Sequence, residues 1–261
     1  MKQSKERHSI EELGDFYEEY KSSFITYKKT IEHSACQIAS FCENRDWKVL
    51  DVGIGGGGIA ALLKQYNLNN IEGCDNFSGN VEKNENKYYW GWGDITTIIS
   101  RMASIGVLVK RINTIKPNGG VPPVEKLPFA KESFDMVFNC HVIEHITDMY
   151  TFLTENSRIL KKGGLLYIKT PNSIFLKHRL KLLLGINPYV KLKCVFNDSL
   201  RNTFYGCHIR ELTMKEISFL VEKIGLEIIK RDYVSYSQKM KLISRIYPPF
   251  AEELVIVAKK R

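Results

Sequence analysis

A glycine-rich turn between an apolar run and a helical run most constrains how this chain can fold. The segment Lys48-Val-Leu-Asp-Val-Gly-Ile-Gly-Gly-Gly-Gly-Ile-Ala60 leads from a short β-branched stretch into the helix-period residues Ile59 to Tyr66. Gly53, Gly55 and Gly58 also satisfy the G-x-G-x-x-G spacing of dinucleotide sites. Because glycines permit a tight turn and close approach of a ligand to the backbone, the segment predicts a binding site beyond the end of a strand.

Two acidic residues indicate which ligand the glycine turn accepts. Asp51 lies two residues before Gly53, and Asp75 ends the next predicted strand. A carboxylate at Asp51 repels a pyrophosphate but attracts an ammonium or sulfonium group. The carboxylate of Asp75 can accept hydrogen bonds from both ribose hydroxyls of a nucleoside. The pair therefore favours a cationic nucleoside cofactor and disfavours a nicotinamide-dependent oxidoreductase.

Short apolar runs alternate with helix-period stretches along much of the chain. Each predicted strand is rich in Val, Ile or Leu and is bounded by turn residues. The predicted strands are Lys48 to Gly53, Asn70 to Cys74, Phe134 to Cys140, Leu165 to Lys169 and Glu253 to Ala258. Predicted helices include Ile59 to Tyr66, Tyr150 to Leu160 and Thr213 to Ile224, the last two closed by Gly163 and Gly225. The alternation predicts a mostly parallel sheet covered by helices on both faces.

Several motifs, in order along the chain, resemble those of class I S-adenosylmethionine-dependent methyltransferases. The glycine turn with Asp51 and Asp75 closely resembles the cofactor-binding motifs of that family. Later segments are similar to further family motifs, namely Val124 to Phe138, Asn139 to Ile146, Arg158 to Leu166 and His208 to Glu216. The resemblance implies a methyltransferase enzyme with an α/β fold. Its sheet would be Rossmann-like, mostly parallel and seven-stranded, with helices on both faces and an antiparallel C-terminal strand.

The same resemblance implies S-adenosyl-L-methionine as the cofactor and assigns residues to it. In the family the glycines approach the methionine part, the first acid holds its amino end and the second acid holds the ribose. A residue after the fourth strand lies beside the cofactor sulfur. Pro123 occupies the position where the family usually has an acid or amide for the adenine, so Glu125 is the substitute candidate. The implied cofactor-binding set is Asp51, Gly53, Gly55, Asp75, Asn76, Glu125 and Cys140.

Three histidines are candidates for removing a proton from an acceptor hydroxyl. His141 follows the fourth predicted strand, beside the expected methyl position, and ranks first; His145 and His208 are the others. Each can instead be a structural histidine that lines or supports the pocket. The pair Glu144 and His145 resembles the Glu-His of quinone-precursor O-methyltransferases, some of which are metal-assisted. Those enzymes have a further acid at the position of His141, so we predict no metal.

Two segments outside the strand-helix rhythm carry most of the positive charge. The chain has 38 basic and 29 acidic residues and a formal net charge of +9. Six basic and three acidic residues lie in 79–122, and six basic and one acidic residue lie in 175–205. We predict one methyltransferase domain, 1–261, with an N-terminal helical segment 1–45, in which the insertions 79–122 and 175–205 form a substrate cap. The charge favours an anionic acceptor.

The main prediction is therefore O-methylation of a hydroxyl on a small molecule, a sugar or a lipid-linked glycan. The alternative is an RNA-binding protein or RNA methyltransferase that uses the basic insertions. Nucleic acid is disfavoured because Asn139-Cys-His-Val differs from the Asp/Asn-Pro-Pro-aromatic signature of enzymes that methylate nucleic-acid amino groups.

The expected location is cytoplasmic. Apolar runs are far shorter than the ~20 residues that span a bilayer, and Met1 to Ile10 has no signal-peptide core. Leucines on one face of a short helix in 175–205, with lysines around them, are compatible with peripheral contact at a membrane surface.

Overall fold

The structure is a computed structural model that describes residues 8–14, 21–75, 95–112, 126–189 and 208–261. The helices in these ranges are α1 Lys21–Phe41, α2 Gly58–Gln65, α3 Ile95–Ser104, α4 Met149–Ile159, α5 Leu176–Leu183, α6 Met214–Lys223 and α7 Gln238–Ile246. The strands are β1 Val49–Val52, β2 Ile71–Asp75, β3 Leu108–Arg111, β4 Phe134–Cys140, β5 Leu160–Pro171, β6 Leu226–Val234 and β7 Glu253–Lys260. Short 3-10 turns cover Ile10–Leu13, Ile143–His145 and Pro248–Phe250.

Within the described residues these strands form a seven-stranded sheet. The chain divides into two compact units, Met1–Arg111 and Ile112–Arg261. In the first unit the strand order is β3-β2-β1 and all pairs are parallel. In the second unit the order is β4-β5-β7-β6, with β4 and β5 parallel and β7 antiparallel to both of its neighbours. The predicted α/β class, mostly parallel with an antiparallel C-terminal strand, is confirmed.

The glycine turn of the first unit is shaped by left-handed backbone. Gly53, Gly55 and Gly57 have φ of +83°, +52° and +76°, a region that side chains with a Cβ enter only at a cost. Gly57 is also crowded, because a Cβ there would lie 2.3 Å from the sulfur of Met102. Met102 is fully buried on α3. Helix α3 therefore packs directly against the turn that leads into α2.

Part of the segment 79–122 is not an insertion. Its helix α3 packs against the strand β3, which pairs in parallel with β2 through Glu72↔Leu108 and Asp75↔Arg111. The prediction of an insertion is therefore wrong for residues 95–112. Strand β3 was not predicted from the sequence, because it is short and mostly exposed and therefore has no run of apolar residues. The remainder of 79–122 lies outside the described residues, and the substrate-cap role stays a prediction.

Side-chain caps begin the two helices that cover the sheet of the second unit. Asp148 accepts a hydrogen bond of 3.0 Å from the backbone N–H of Thr151 at the start of α4. Thr213 and Glu216 form a capping box at the start of α6. Gly225, with φ of +82°, follows α6 as predicted and leads into β6. Gly163 was predicted to close α4, but it lies inside β5 with φ of +77°.

Gly57→Ala should destabilise the protein more than Gly106→Ala does. Both positions have left-handed φ, +76° and +74°, so both variants incur about 1–2 kcal/mol of backbone strain. A Cβ at position 106 meets only Lys64 Nζ at 3.6 Å, whereas one at position 57 must displace Met102, which adds about 1–3 kcal/mol of overpacking. Urea unfolding of the two variants measures the difference. Equal free energies of unfolding would show that Met102 does not pack as described.

Candidate active site

The predicted acids of the glycine turn come together in the first unit. The N–H of Gly53 donates to the carbonyl of Cys74 at 2.8 Å, which ties the end of β1 to β2. The N–H of Gly55 donates to Oδ2 of Asp75 at 2.9 Å. Asp51 is paired in register with Gly73, two residues before Asp75. Four predicted cofactor residues, Asp51, Gly53, Gly55 and Asp75, therefore lie at the same end of two neighbouring strands.

Asp51 is a buried acid next to a second acid. Its exposed fraction is only 3%. Burial, and to a smaller extent the charge of Asp75, raises the pKa of Asp51 well above its usual range. A positively charged group at this position would reverse both effects by compensating the carboxylate. The local chemistry thus fits a ligand that brings a cation and ribose hydroxyls to the turn, as S-adenosylmethionine would.

Two predicted cofactor residues, Asn76 and Glu125, lie outside the described residues, so their roles stay predictions. Cys140 is the last residue of β4 and is partly buried. The next residue, His141, has a left-handed φ of +57°, which is uncommon for a residue other than glycine and often marks a functional position. Its N–H donates to the carbonyl of Lys169 at 2.8 Å. The backbone bend at the end of β4 is thus held by β5.

Both ring nitrogens of His141 face carboxylates. Nδ1 lies 3.3 Å from Oε1 of Glu144, and Nε2 lies 3.1 Å from Oε1 of Glu253. Burial lowers the pKa of His141, but the contacts with Glu144 and Glu253 outweigh burial and raise it to about 9. At neutral pH the ring is therefore a cation. This arrangement does not support the prediction that His141 removes a proton, because neither nitrogen has a lone pair to accept one.

A buried lysine completes this cluster. Nζ of Lys169, a fully buried residue, lies 3.1 Å from Oε2 of Glu253 and 5.3 Å from the centre of the Tyr236 ring. The hydroxyl of Tyr236 donates to the same carboxylate oxygen. Burial raises the pKa of Glu253, but the charge of Lys169 and the contact with His141 outweigh burial and lower it. Glu144, Glu253 and Lys169 are buried, and His141 is partly exposed. We call these two acids and two bases the charge quartet.

Sequence reasoning missed the roles of Lys169 and Glu253. Both residues were assigned to predicted strands and were treated as part of the apolar sheet. The available signal was a single charged residue in each apolar strand. Because a charge is buried only where it is paired, such a residue indicates a partner of opposite charge elsewhere in the fold. The pairing itself joins residues 84 positions apart along the chain, and no local pattern reports it.

The other two candidate histidines lie against Glu144. The rings of His145 and His208 make an edge contact with centroids 5.0 Å apart. The carbonyl of Glu144 accepts the N–H groups of Ile209 and Arg210 at 2.8 and 3.2 Å, which fixes the chain next to His208. Nδ1 of His208 lies 2.7 Å from Oε1 of Glu211. The structure therefore places all three predicted histidines around one glutamate.

Glu144, His145 and His208 also have the donor types of a cation site. One ligand atom from each lies within 4.8 Å of the others. Nitrogen and carboxylate donors in a set of three, with an open position, suit a divalent transition metal. The prediction that the site holds no metal therefore stays a prediction, and metal analysis of the purified protein would test it.

Comparison with known proteins finds methyltransferases that are similar to this chain in sequence. A family model described as a methyltransferase domain matches residues 108–168. A ubiquinone biosynthesis O-methyltransferase of Rhizobium rhizogenes is 33% identical over 192 residues, which cover 73% of this chain and 64% of that protein. The chain thus spans less than two-thirds of the length of this relative.

Two solved structures are similar in fold. A possible histamine N-methyltransferase of Thermotoga maritima has a TM-score of 0.54 at 18% identity, covering 95% of this chain and 100% of that chain. The [4+2]-cyclase SpnF has a TM-score of 0.58 at 13% identity, covering 90% and 82%. At these identities the similarity shows the fold alone. One of the two proteins is named as a methyltransferase and the other as a cyclase, so the shared fold does not fix the reaction. The matching domain model and the named relative agree with the resemblance of the ordered motifs to class I S-adenosylmethionine-dependent methyltransferases.

Proposed function

We propose that this protein transfers a methyl group from S-adenosylmethionine to a hydroxyl oxygen of a small molecule. The observation that carries the cofactor part is Asp51, an acid only 3% exposed that lies beside the glycine turn, where a cationic group would compensate its charge. The acceptor class is supported by the relative named as a ubiquinone biosynthesis O-methyltransferase. Bound S-adenosylmethionine supplies an activated methyl group on a sulfonium.

The residues of the glycine turn bind and orient in this proposal. Asp51 accepts hydrogen bonds from the amino group of the methionine part, and Asp75 accepts those of the ribose hydroxyls. Asp75 already accepts the N–H of Gly55 through Oδ2, which holds its carboxylate in place before a ligand arrives. Preorganisation of this kind lowers the entropic cost of binding.

His208 is the residue that removes the proton of the acceptor hydroxyl in this proposal. Among the three candidates, His141 is a cation between two carboxylates. His208 is more exposed than His141, with 35% against 27% of the side chain open to solvent, and its Nδ1 contacts Glu211. Its Nε2 is the atom that accepts the proton. A positioned base of this type contributes typically ~100- to 10,000-fold to the rate.

A second proposal concerns where the acceptor is collected. Helix α5 has no buried residue, and Leu183 and Leu184 at its end are 82% and 75% exposed. Ile246 at the end of α7 is 83% exposed. Arg179 of α5 lies over the rings of Tyr247 and Phe250, at 5.6 and 5.3 Å, so the first half of α5 lies beside the residues that follow α7.

Basic residues accompany these exposed apolar side chains. They are Lys177, Arg179 and Lys181 on α5 and Lys239, Lys241 and Arg245 on α7. We propose that this basic apolar surface contacts an anionic membrane surface, from which a lipid-like acceptor enters. Among the described residues no helix has both the length and the apolar character needed to cross a membrane.

Asp51→Asn should abolish most cofactor affinity while stabilising the ligand-free protein. The variant loses a charged hydrogen-bond acceptor, so the Kd of S-adenosylhomocysteine should rise about tenfold to 100-fold in calorimetry. Because the pKa of Asp51 is raised in the folded state, the wild-type protein loses stability as the pH rises and Asp51 ionises. The variant cannot ionise there, so its thermal midpoint should exceed that of the wild type at neutral pH. The difference should be near zero below about pH 4, where Asp51 is protonated in both the folded and the unfolded wild type. Unchanged affinity for S-adenosylhomocysteine would contradict the cofactor part of the proposal.

His208→Asn should lower kcat for an acceptor alcohol about 100- to 10,000-fold and leave the affinity for S-adenosylhomocysteine unchanged. The assay incubates phenols, catechols and sugar alcohols, with and without a carboxylate or phosphate, and detects a gain of about 14 mass units. His33→Asn, in α1, is the matched control. A kcat for His208→Asn equal to that of the control would exclude His208 as the base, and no product from any acceptor would contradict the activity.

Leu183→Glu combined with Leu184→Glu should release the protein from vesicles. The wild-type protein is expected to float with liposomes that contain anionic phospholipid at low salt, and less with neutral liposomes, because the basic residues add electrostatic attraction. Leu108→Glu, at a leucine 65% exposed in the other unit, is the control and should float like the wild type. A wild-type protein that stays in the soluble fraction would overturn this proposal.

A further inference from the structure

Glu211 lies between two histidines that belong to different parts of the second unit. Its Oε1 is 2.7 Å from Nδ1 of His208, and its Oε2 is 3.5 Å from Nδ1 of His178, in the first turn of α5. The side chain is only 8% exposed. Neither Glu211 nor His178 was singled out from the sequence, because they lie 33 positions apart and no pattern joins them.

The backbone around Glu211 is held on both sides. Upstream, the N–H groups of Ile209 and Arg210 donate to the carbonyl of Glu144. Downstream, the carbonyl of Leu212 accepts the N–H of Ser173 at 3.1 Å, and Leu212 forms an isolated bridge with Asn172. Because these contacts leave the segment little freedom, the direction in which Glu211 points is set by the fold.

The short contact with Glu211 has a chemical consequence for His208. An ionised carboxylate only accepts hydrogen bonds, so Nδ1 of His208 must carry the proton in this contact. The neutral ring then has its lone pair on Nε2, the nitrogen that remains for an acceptor. Glu211 thus selects which nitrogen of His208 can accept a proton and fixes the plane of the ring.

The second oxygen of Glu211 explains how the carboxylate itself is held. Among the described residues, Oε2 is buried and makes no hydrogen bond, and Nδ1 of His178 faces it at 3.5 Å. His178 is fixed in turn, since Nδ1 lies 3.2 Å from the carbonyl of Ser173 and the ring packs edge-on against Tyr189 at 5.3 Å. An unpaired buried carboxylate oxygen is costly, which favours a position next to this ring.

We propose that Glu211 is a positioning residue that holds His208 in the Nδ1-protonated form, and that His178 of α5 holds Glu211. This inference rests on the proposed role of His208 in methyl transfer. It also links the exposed helix α5 to the residue that meets the acceptor. The position of α5 thereby influences the orientation of the His208 ring.

Glu211→Gln tests the first part. We expect kcat to fall about 10- to 100-fold, as for loss of a residue that orients a functional histidine, with KM and the Kd of S-adenosylhomocysteine within about twofold of the wild type. Glu211→Asp, which keeps the charge, should recover part of the rate. ¹⁵N spectra of the full-length protein, with His208 assigned through His208→Asn, should show the Nδ1-protonated ring in the wild type and its loss in Glu211→Gln.

Glu216→Gln is the matched control, because Glu216 is a glutamate of the same unit that caps α6 through Thr213. It should lower the thermal midpoint without changing the His208 spectrum. The inference is overturned if the His208 tautomer is the same in Glu211→Gln and the wild type, or if kcat falls no further than in Glu216→Gln. His178→Phe, which keeps the ring packing, should reduce kcat by a smaller factor; wild-type kcat would remove His178 from the proposal.

The spectra also separate this inference from the proposed function. If the wild-type protein methylates no acceptor, the proposed function fails, and the His208 tautomer still shows whether Glu211 positions that ring. If methylation occurs and the tautomer does not depend on Glu211, the function stands and the positioning role fails.

Discussion

The second unit depends on one fully buried glutamate. Glu144 faces His141 with one carboxylate oxygen, accepts the hydroxyl of Thr170 at 2.9 Å with the other, and binds the chain after His208 through its carbonyl. Burial raises the pKa of Glu144, but the contact and charge of His141 outweigh burial and lower it. Removing one member of such a buried pair leaves an uncompensated charge, at a cost of about 3–5 kcal/mol. Each charge of the quartet is therefore stable in this position only while its partners are present, which explains why two acids and two bases occur together.

The fold was predictable where burial imposes a pattern. Strands β1, β2, β4 and β7 agree with the predicted segments within one or two residues, because each is an apolar run bounded by turn residues. Strand β6 was missed as β3 was, since both lie at sheet edges and carry several exposed polar residues. Edge strands are paired on one side only and are partly exposed, so their sequences have a weak apolar pattern from which to predict a strand.

The candidate site was predictable where neighbours in sequence are neighbours in space. The glycine turn with Asp51, and the run from Cys140 to His145, each lie in one short segment. The roles of Lys169, Glu253 and Glu211 depend on contacts between distant segments, and burial changes what a residue does. His141 illustrates this: its position after β4 suggested a base, whereas Glu144 and the distant Glu253 of β7 together raise its pKa.

The direction of β7 has a consequence for how the protein is made. Parallel strands bring their last residues to the edge where β4 and β5 end, but β7 is antiparallel and brings its first, Glu253, opposite Pro171. The strand is complete only at Lys260. During synthesis the glycine turn can fold early, whereas His141 and Lys169 must wait for Glu253, which lies 84 positions after Lys169. Until β7 is made, His141 after β4 and Lys169 in β5 lack one of the two acids of the charge quartet, and Glu253 then supplies it.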